Sequence, residues 1–239
     1  MHHQDMGLST LISLSEADRF NEWMFEAIRP YITGKTLEIG SGIGNISAML
    51  VRHHLPLYVS DHTGEYVGRL QNRFSTTDEV KGVLSIDLAD EHFATVHAEI
   101  LGTFDTVFAL NVIEHIGNDH LAILNCYRLL KPGGRVVILV PAWPSLYNGL
   151  DKGLEHYRRY SSTTLRQLLS GPFQVTKMKY FNLAGIGGWW LTGTVLRKKV
   201  IGEGRARIYN RLVPLFRLAD KLTFHRMGLS LVAVGEKER

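Results

Sequence analysis

Two hundred and thirty-nine residues, 45% of them hydrophobic, suffice for one full core and would be cramped as two domains. A net charge of +4 is too mild for a nucleic-acid footprint, and a single cysteine, Cys126, excludes an internal disulfide or a cysteine-rich zinc or iron–sulfur site. No run of about 18 apolar residues occurs, and "MHHQDMGLST" holds no apolar signal region, so a cytoplasmic protein is expected.

"SEADRFNEWMFEAIRPY" predicts a leading helix over 15–30, with Ser15 as N-cap and Pro30 at its end. A core over 36–180 then alternates strands and helices. "KTLEIG" is followed by a helix from Asn45 to about His54, "PLYVSD" by a helix through "EYVGRLQNRF", and then come "KGVLSID" and "FDTVFALN". A helix through "DHLAILNCYRLL" stops at "KPGG" and leads into "RVVILVP". Continuous apolar strands broken by helices imply a doubly wound α/β fold with a mostly parallel sheet. Within that pattern Cys126 reads as a packed core thiol.

After Pro141 the rhythm is lost: "AWPSLYNGLDKGLEHYRRYS" reads as a loop without a period, at the end of a sheet where such folds bind ligands. "STTLRQLL" restores a helix and "FQVTKMKYF" a strand; 182–228 reads as a helical insertion or lid, and 229–237 as a final strand, all within one domain. From Arg197 to Arg226, basic residues interleave with apolar ones. That mixture fits a solvated helix face, a lid or dimer contact, a membrane-surface contact or a site for an acidic substrate.

The stretch "LEIGSGIGN" places Gly40, Gly42 and Gly44 between a strand and a helix, where a ligand can press against bare backbone. Dinucleotide sites carry G-x-G-x-x-G; here the spacing is E-x-G-x-G-x-G, with Glu38 inside the site. That carboxylate repels a pyrophosphate and attracts an ammonium or sulfonium group. Asp61 and Asp87 end the next two strands, suited to a ribose and to an adenine amino group, so the three acids together suggest a cationic adenosine ligand. An NAD-dependent oxidoreductase is disfavoured on this ground, and a non-catalytic adenosine-binding module stands as the alternative.

With "LEIGSGIGN", Asp61, "IDLAD", "FDTVFALNVIEHI" and "LLKPGGRVVILVP" in this order, residues 20–169 resemble the class I S-adenosylmethionine-dependent methyltransferases. The resemblance implies a seven-stranded sheet with its last strand antiparallel, and S-adenosylmethionine as cofactor. By resemblance Glu38 and the loop of Gly40, Ser41, Gly42, Gly44 and Asn45 hold the methionine part, Asp61 with His62 the ribose, and Asp87 with Leu88 the adenine; Asn111 borders the methyl group. "RFNEWMFEAIRPYITGKTLEIGSGIGN" and the segment after Pro141 also resemble a bacterial subgroup, which informs architecture only.

"NVIEHI" lacks the Asn/Asp-Pro-Pro-aromatic stretch that holds nucleobase amines, so no nucleic-acid partner is expected. Asn111 is a poor start for a catechol-type metal site and no H-E-x-x-H spacing exists, so no metal is expected. Trp23, Trp143, Tyr147, Tyr157, Tyr160 and Trp189, with His115 and Arg158, are the candidate acceptor contacts, favouring a small aromatic or isoprenoid-like acceptor. His156 is the candidate base, because histidine titrates near neutral pH. Glu114 and His115 are expected to fasten the loop after the fourth strand; Arg158 and Arg159 either grip an acidic acceptor or pair with Asp151 and Glu155. The methylated atom stays open, and the chain is expected as a monomer or homodimer.

Overall fold

In the computed structural model, which describes Leu8, Leu11, Ile12, Ser15 and residues 17–197 and 203–239, the apolar runs form seven strands of one sheet. They are β1 (Thr36–Ile39), β2 (Leu57–Asp61), β3 (Val80–Ser85), β4 (Phe104–Leu110), β5 (Leu130–Pro141), β6 (Gln174–Phe181) and β7 (Ser230–Glu236). Their order is β3-β2-β1-β4-β5-β7-β6, with β7 antiparallel to both neighbours and the pairs from β3 through β5 parallel. The order reverses at β1, so the carboxyl ends of β1 and β4 flank the crevice where open sheets of this kind bind ligands.

Alternation along the central strands feeds two cores. Val136, Ile138 and Val140 of β5 face one, and Val137 and Leu139 the other. The first face is covered by α5 (Asp119–Leu129) and α7 (Ser162–Ser170), through Ala122, Ile123, Cys126, Leu165 and Leu169. Helices α1 (Asp18–Ile28), α2 (Asn45–Arg52) and α3 (Gly64–Arg73) cover the second, with Phe25, Ile28, Met49, Leu50 and Leu70. Each fully buried Leu, Ile or Phe contributes roughly 1.5–3 kcal/mol. Cys126 packs into the first core from α5, and burial pushes its thiol up to about 12. A water-soluble disulfide reagent should therefore leave it unlabelled in the native protein and label it only in denaturant.

The leading helix begins later than its sequence suggests. Ser15 donates its hydroxyl to the Ile12 carbonyl, Ala17 occupies the N-cap of α1, and no side chain caps it. At the other end Pro30 sits in a single 3₁₀ turn, Arg29–Tyr31, and stops the helix as expected. A short helix α4 (Phe93–Val96) follows β3.

The segment after Pro141 is more ordered than its lack of a period implied. Asn148 and Asp151 form a reciprocal capping box that starts α6 (Gly149–Gly153), and Ser161 with Thr164 does the same for α7. The insertion before β7 consists of α8 (Leu183–Trp189), a π turn over Trp190–Val195, and α9 (Glu203–Leu222). Buried Asp220 of α9 accepts the backbone amides of Asn182 and Leu183, both at 2.7 Å, tying the insertion's far end to its start. Lys198, Lys199 and the rest of 198–202 lie outside the described residues. Among the described residues no helix is long and apolar enough to cross a membrane.

Candidate functional site

Glu38 ends β1 almost fully buried, with Ser47 in the first turn of α2 donating to its Oε2 at 2.5 Å. Burial pushes its carboxyl up to about 7, raised further by Asp61 and opposed by the Ser47 and Ser41 hydroxyls and by Arg73. The chain then turns through Gly40 (φ +66°), Gly42 (φ +56°) and Gly44 (φ +83°). A methyl group at Gly40 would meet Val112 Cγ2 at 2.5 Å, and one at Gly44 would meet Phe74 Cε2 at 2.6 Å, so conformation and space both demand glycine. Gly44→Ala should cost roughly 1–3 kcal/mol of stability by chemical denaturation, from the left-handed strain and the lost fit against Phe74.

Asp61 ends β2 beside this turn. Its Oδ2 accepts the Gly42 amide and its Oδ1 the Thr63 amide, both at 3.0 Å, and His62 Nδ1 lies 3.4 Å from Oδ1. Burial alone would raise this carboxyl, but those three groups together hold it below its ordinary value. Ser41 is fastened to β2 by two bonds with the Ser60 backbone, at 2.8 and 3.2 Å. Asn45 donates to the Leu11 carbonyl at 2.9 Å, so the leading segment lies against the turn. Beyond β3, exposed Asp87 accepts the Ala89 amide at 2.8 Å while Leu88 is buried. Asn111, exposed with φ +54°, follows β4 and donates its amide to the Leu139 carbonyl. Glu38, the glycine turn, Asp61, Asp87 and Asn111 thus lie at the carboxyl ends of four adjacent strands.

A second cluster stands beyond Asn111. Buried His156 bonds through Nδ1 to Asp151 Oδ1 at 3.0 Å, while its Nε2 faces Glu114 Oε1 at 4.0 Å. Asp151 also accepts Arg159 Nε at 2.7 Å, the Asn148 amide at 2.9 Å and Trp189 Nε1 at 3.3 Å. Burial would raise Asp151, yet His156, Arg159 and the Asn148 amide outweigh it and hold the carboxyl low. Glu114 is wholly buried with neither oxygen hydrogen-bonded, and burial pushes it up to about 8. His115 packs edge-on against His156, centroids 4.7 Å apart; desolvation and the imidazoles of His156 and His62 push it down to about 4.

The candidate acceptor residues divide. Tyr147 donates to the His156 carbonyl at 2.8 Å, Trp189 lies under the Arg159 guanidinium at 4.5 Å, and Tyr157 is exposed. Trp143 stacks on Tyr180 and donates to the Gly228 carbonyl. Trp23 is corrected to a core position: it is 5% exposed and packs on Phe181 at 4.5 Å, on the face covered by α1. Tyr160 is likewise a core residue, its hydroxyl held by Asp119 at 2.9 Å. Arg158 pairs with Asp119 at 2.7 Å and Arg159 with Asp151 at 2.7 Å. Ser47 has no role legible in the sequence, and Asp151 reads there only as a partner for the arginines, although Asn148-x-x-Asp151 is a legible capping box that fixes Asp151 behind His156.

Residues 37–136, from β1 into β5, match the family described as "Methyltransferase domain". The chain is 25% identical over 207 residues to the ubiquinone biosynthesis O-methyltransferase of Pseudomonas paraeruginosa, covering 86% of this chain and 81% of that protein. The matched segment and this relative agree with a methyltransferase domain, in line with the resemblance to the class I S-adenosylmethionine-dependent methyltransferases. Solved structures agree with the methyltransferase fold. An S-adenosylmethionine-dependent methyltransferase from Archaeoglobus fulgidus superposes with a TM-score of 0.57 at 19% identity, over 91% of this chain and 94% of that one. Haemonchus contortus phosphoethanolamine N-methyltransferase 2, solved in complex with S-adenosylmethionine, gives 0.59 at 18% identity, over 90% of this chain and 52% of that one.

Proposed function

We propose that the methyltransferase transfers the methyl group to a hydroxyl of a small aromatic acceptor bearing an apolar, isoprenoid-like tail. Bound S-adenosylmethionine supplies a methyl carried on a sulfonium, displaced in line so that the C–S electron pair stays on sulfur. The reading is carried by one observation: a buried, oriented histidine stands beyond the end of β4, next to the strand ends bearing Glu38 and Asp61. The relationship to an O-methyltransferase of ubiquinone biosynthesis supports oxygen as the methylated atom.

In this reading Glu38, Gly40, Ser41, Gly42, Gly44 and Asn45 hold the methionine part, Asp61 and His62 the ribose, and Asp87 and Leu88 the adenine, with Asn111 beside the methyl. The residues suit that ligand: Glu38 is nearly desolvated, no ion pair reaches it among the described residues, and a sulfonium or ammonium would stabilise its ionised form. Asp61 accepts one amide on each oxygen and keeps a further lone pair on each for a ribose hydroxyl. His156, its Nδ1 fixed by Asp151, activates the acceptor hydroxyl from the far side, and Tyr147, Trp189 and Trp143 wall the approach. A panel of catechols and polyprenylphenols, with S-adenosylhomocysteine release as the readout, tests it. His156→Ala should lower turnover about 100-fold or more and change cofactor affinity less than about twofold; unchanged turnover would remove the role.

A membrane-surface contact fits the same acceptor class. Ile208, Leu212, Leu215 and Leu222 form an exposed apolar face on α9, flanked by exposed Arg211 and Lys221, and Arg226 follows. The only acid from 207 to 227 is buried Asp220. An anionic bilayer complements this surface at roughly 1 kcal/mol per basic residue near it. Sedimentation should rise with the anionic lipid content of vesicles and fall in Arg211→Glu/Lys221→Glu; indifference to lipid charge would contradict it, and concentration-dependent dimerisation blocked by Leu215→Glu would assign the face to a second copy.

A further inference from the structure

We propose that Glu114, His115 and His156 form a site for one first-row divalent transition-metal ion at the acceptor end of the pocket. Each side chain offers a ligand atom, and the three atoms lie within 4.8 Å of one another. A bound ion at about 2.0–2.2 Å from each would need them closer, a change within reach of side-chain rotation. Two imidazoles and one carboxylate, with remaining positions open, make a ligand set suited to such ions and leave room for a water or a substrate oxygen.

Three features argue for an ion rather than chance proximity. Glu114 is fully buried with neither carboxylate oxygen hydrogen-bonded, an arrangement that costs free energy unless a cation completes it. His156 presents Nε2 to that carboxylate while Asp151 holds Nδ1 at 3.0 Å, the carboxylate-behind-histidine arrangement that orients a metal-binding imidazole. Asp151 is itself locked by Arg159 and the Asn148 amide, so the histidine is supported from behind by the capping box of α6. The sequence carries neither an H-E-x-x-H spacing nor a cysteine cluster, because the ligands come from two segments, 114–115 and 156, that only the fold brings together.

This inference rests on the proposed function and specifies how His156 acts there: as a ligand, not as the group that takes the proton. The acceptor's hydroxyl oxygen would occupy an open position on the ion and its proton would pass to solvent. The oxygen then forms its bond to the methyl carbon as the C–S bond breaks toward sulfur.

The test is titration of the full-length protein with Co²⁺, followed by visible absorption and competed with Zn²⁺, alongside calorimetry with S-adenosylhomocysteine on the same samples. Wild-type protein should take one saturable equivalent into an absorbing site. Glu114→Gln, which keeps shape and removes charge, should lose that band, and His115→Ala should weaken it at least tenfold, while both bind S-adenosylhomocysteine as wild type does. Equal Co²⁺ spectra in wild type and Glu114→Gln would overturn the site, as would no saturable band in a protein that binds S-adenosylhomocysteine. A saturable Co²⁺ band lost in Glu114→Gln, in a protein that fails to bind S-adenosylhomocysteine, would support the cation site and defeat the cofactor reading instead.

Discussion

Glu38→Gln is expected to weaken S-adenosylmethionine binding by about 10- to 100-fold at pH 8, the range spanned by one charge-assisted interaction in a poorly solvated site. Glutamine keeps the shape and can still accept the Ser47 hydroxyl, so a loss of this size isolates the charge. The same carboxyl makes binding pH-dependent. In the free protein it titrates near 7, so below that pH a proton must leave before a cationic ligand meets an ionised group. Wild-type affinity should therefore rise about tenfold from pH 6 to pH 8 if ligand returns the carboxyl to its ordinary range. In Glu38→Gln this component of the slope should vanish.

The sign for stability runs the other way. A folded-state value of about 7 exceeds the ordinary 4.5, so the ligand-free folded state binds more protons than the unfolded chain across that window. This carboxyl's contribution is present at low pH and lost as pH rises toward 7. Saturating S-adenosylmethionine should flatten that decline, and thermal melts at pH 5 and pH 8 with and without ligand would measure it.

Arg159→Leu is expected to destabilise the fold by about 3–5 kcal/mol, the cost of removing one partner from a buried pair. Both members are nearly sealed, with Arg159 at 1% and Asp151 at 0% side-chain exposure, so solvent screening offers little relief. The guanidinium also donates to the Ala142 carbonyl at 2.9 Å and lies over Trp189, so its loss would release the segment after β5 from the insertion. Asp151→Asn should cost less, because it leaves Arg159 its bond to Ala142 while uncoupling His156. Equilibrium denaturation of both variants checks the order; an Arg159→Leu loss below about 1 kcal/mol would mean that the network does not hold the pocket.

The strands were legible because each is a short apolar run bounded by turn residues, and Glu38 and Asp61 stood out because a charge at the end of such a run has few structural reasons to be there. Their supports were not. Ser47 reads as an ordinary residue in α2, and its bond to Glu38 follows from the tight turn that brings the first turn of α2 back over β1. Trp23 was expected on the acceptor side because aromatic residues serve lids and cores alike; only the packing of α1 against Phe181 separates the two. His156 was legible as a candidate, but not the carboxylates on its two sides. Asp151 arrives through a capping box inside a stretch without periodicity, and Glu114 through the crossing of two loops. Short-range pattern carries no record of such crossings. Ser15 shows the opposite error, a correct helix with the wrong cap, since Ser15 bonds back to Ile12.

The most direct measurement is a crystal structure of the protein with S-adenosylhomocysteine. The account predicts both ribose hydroxyls within about 3 Å of the Asp61 carboxylate, the adenine beside Asp87 and Leu88, and the sulfur directed past Asn111 toward His156. A nucleoside bound away from the ends of β1 and β2, or a sulfur facing away from His156, would contradict it.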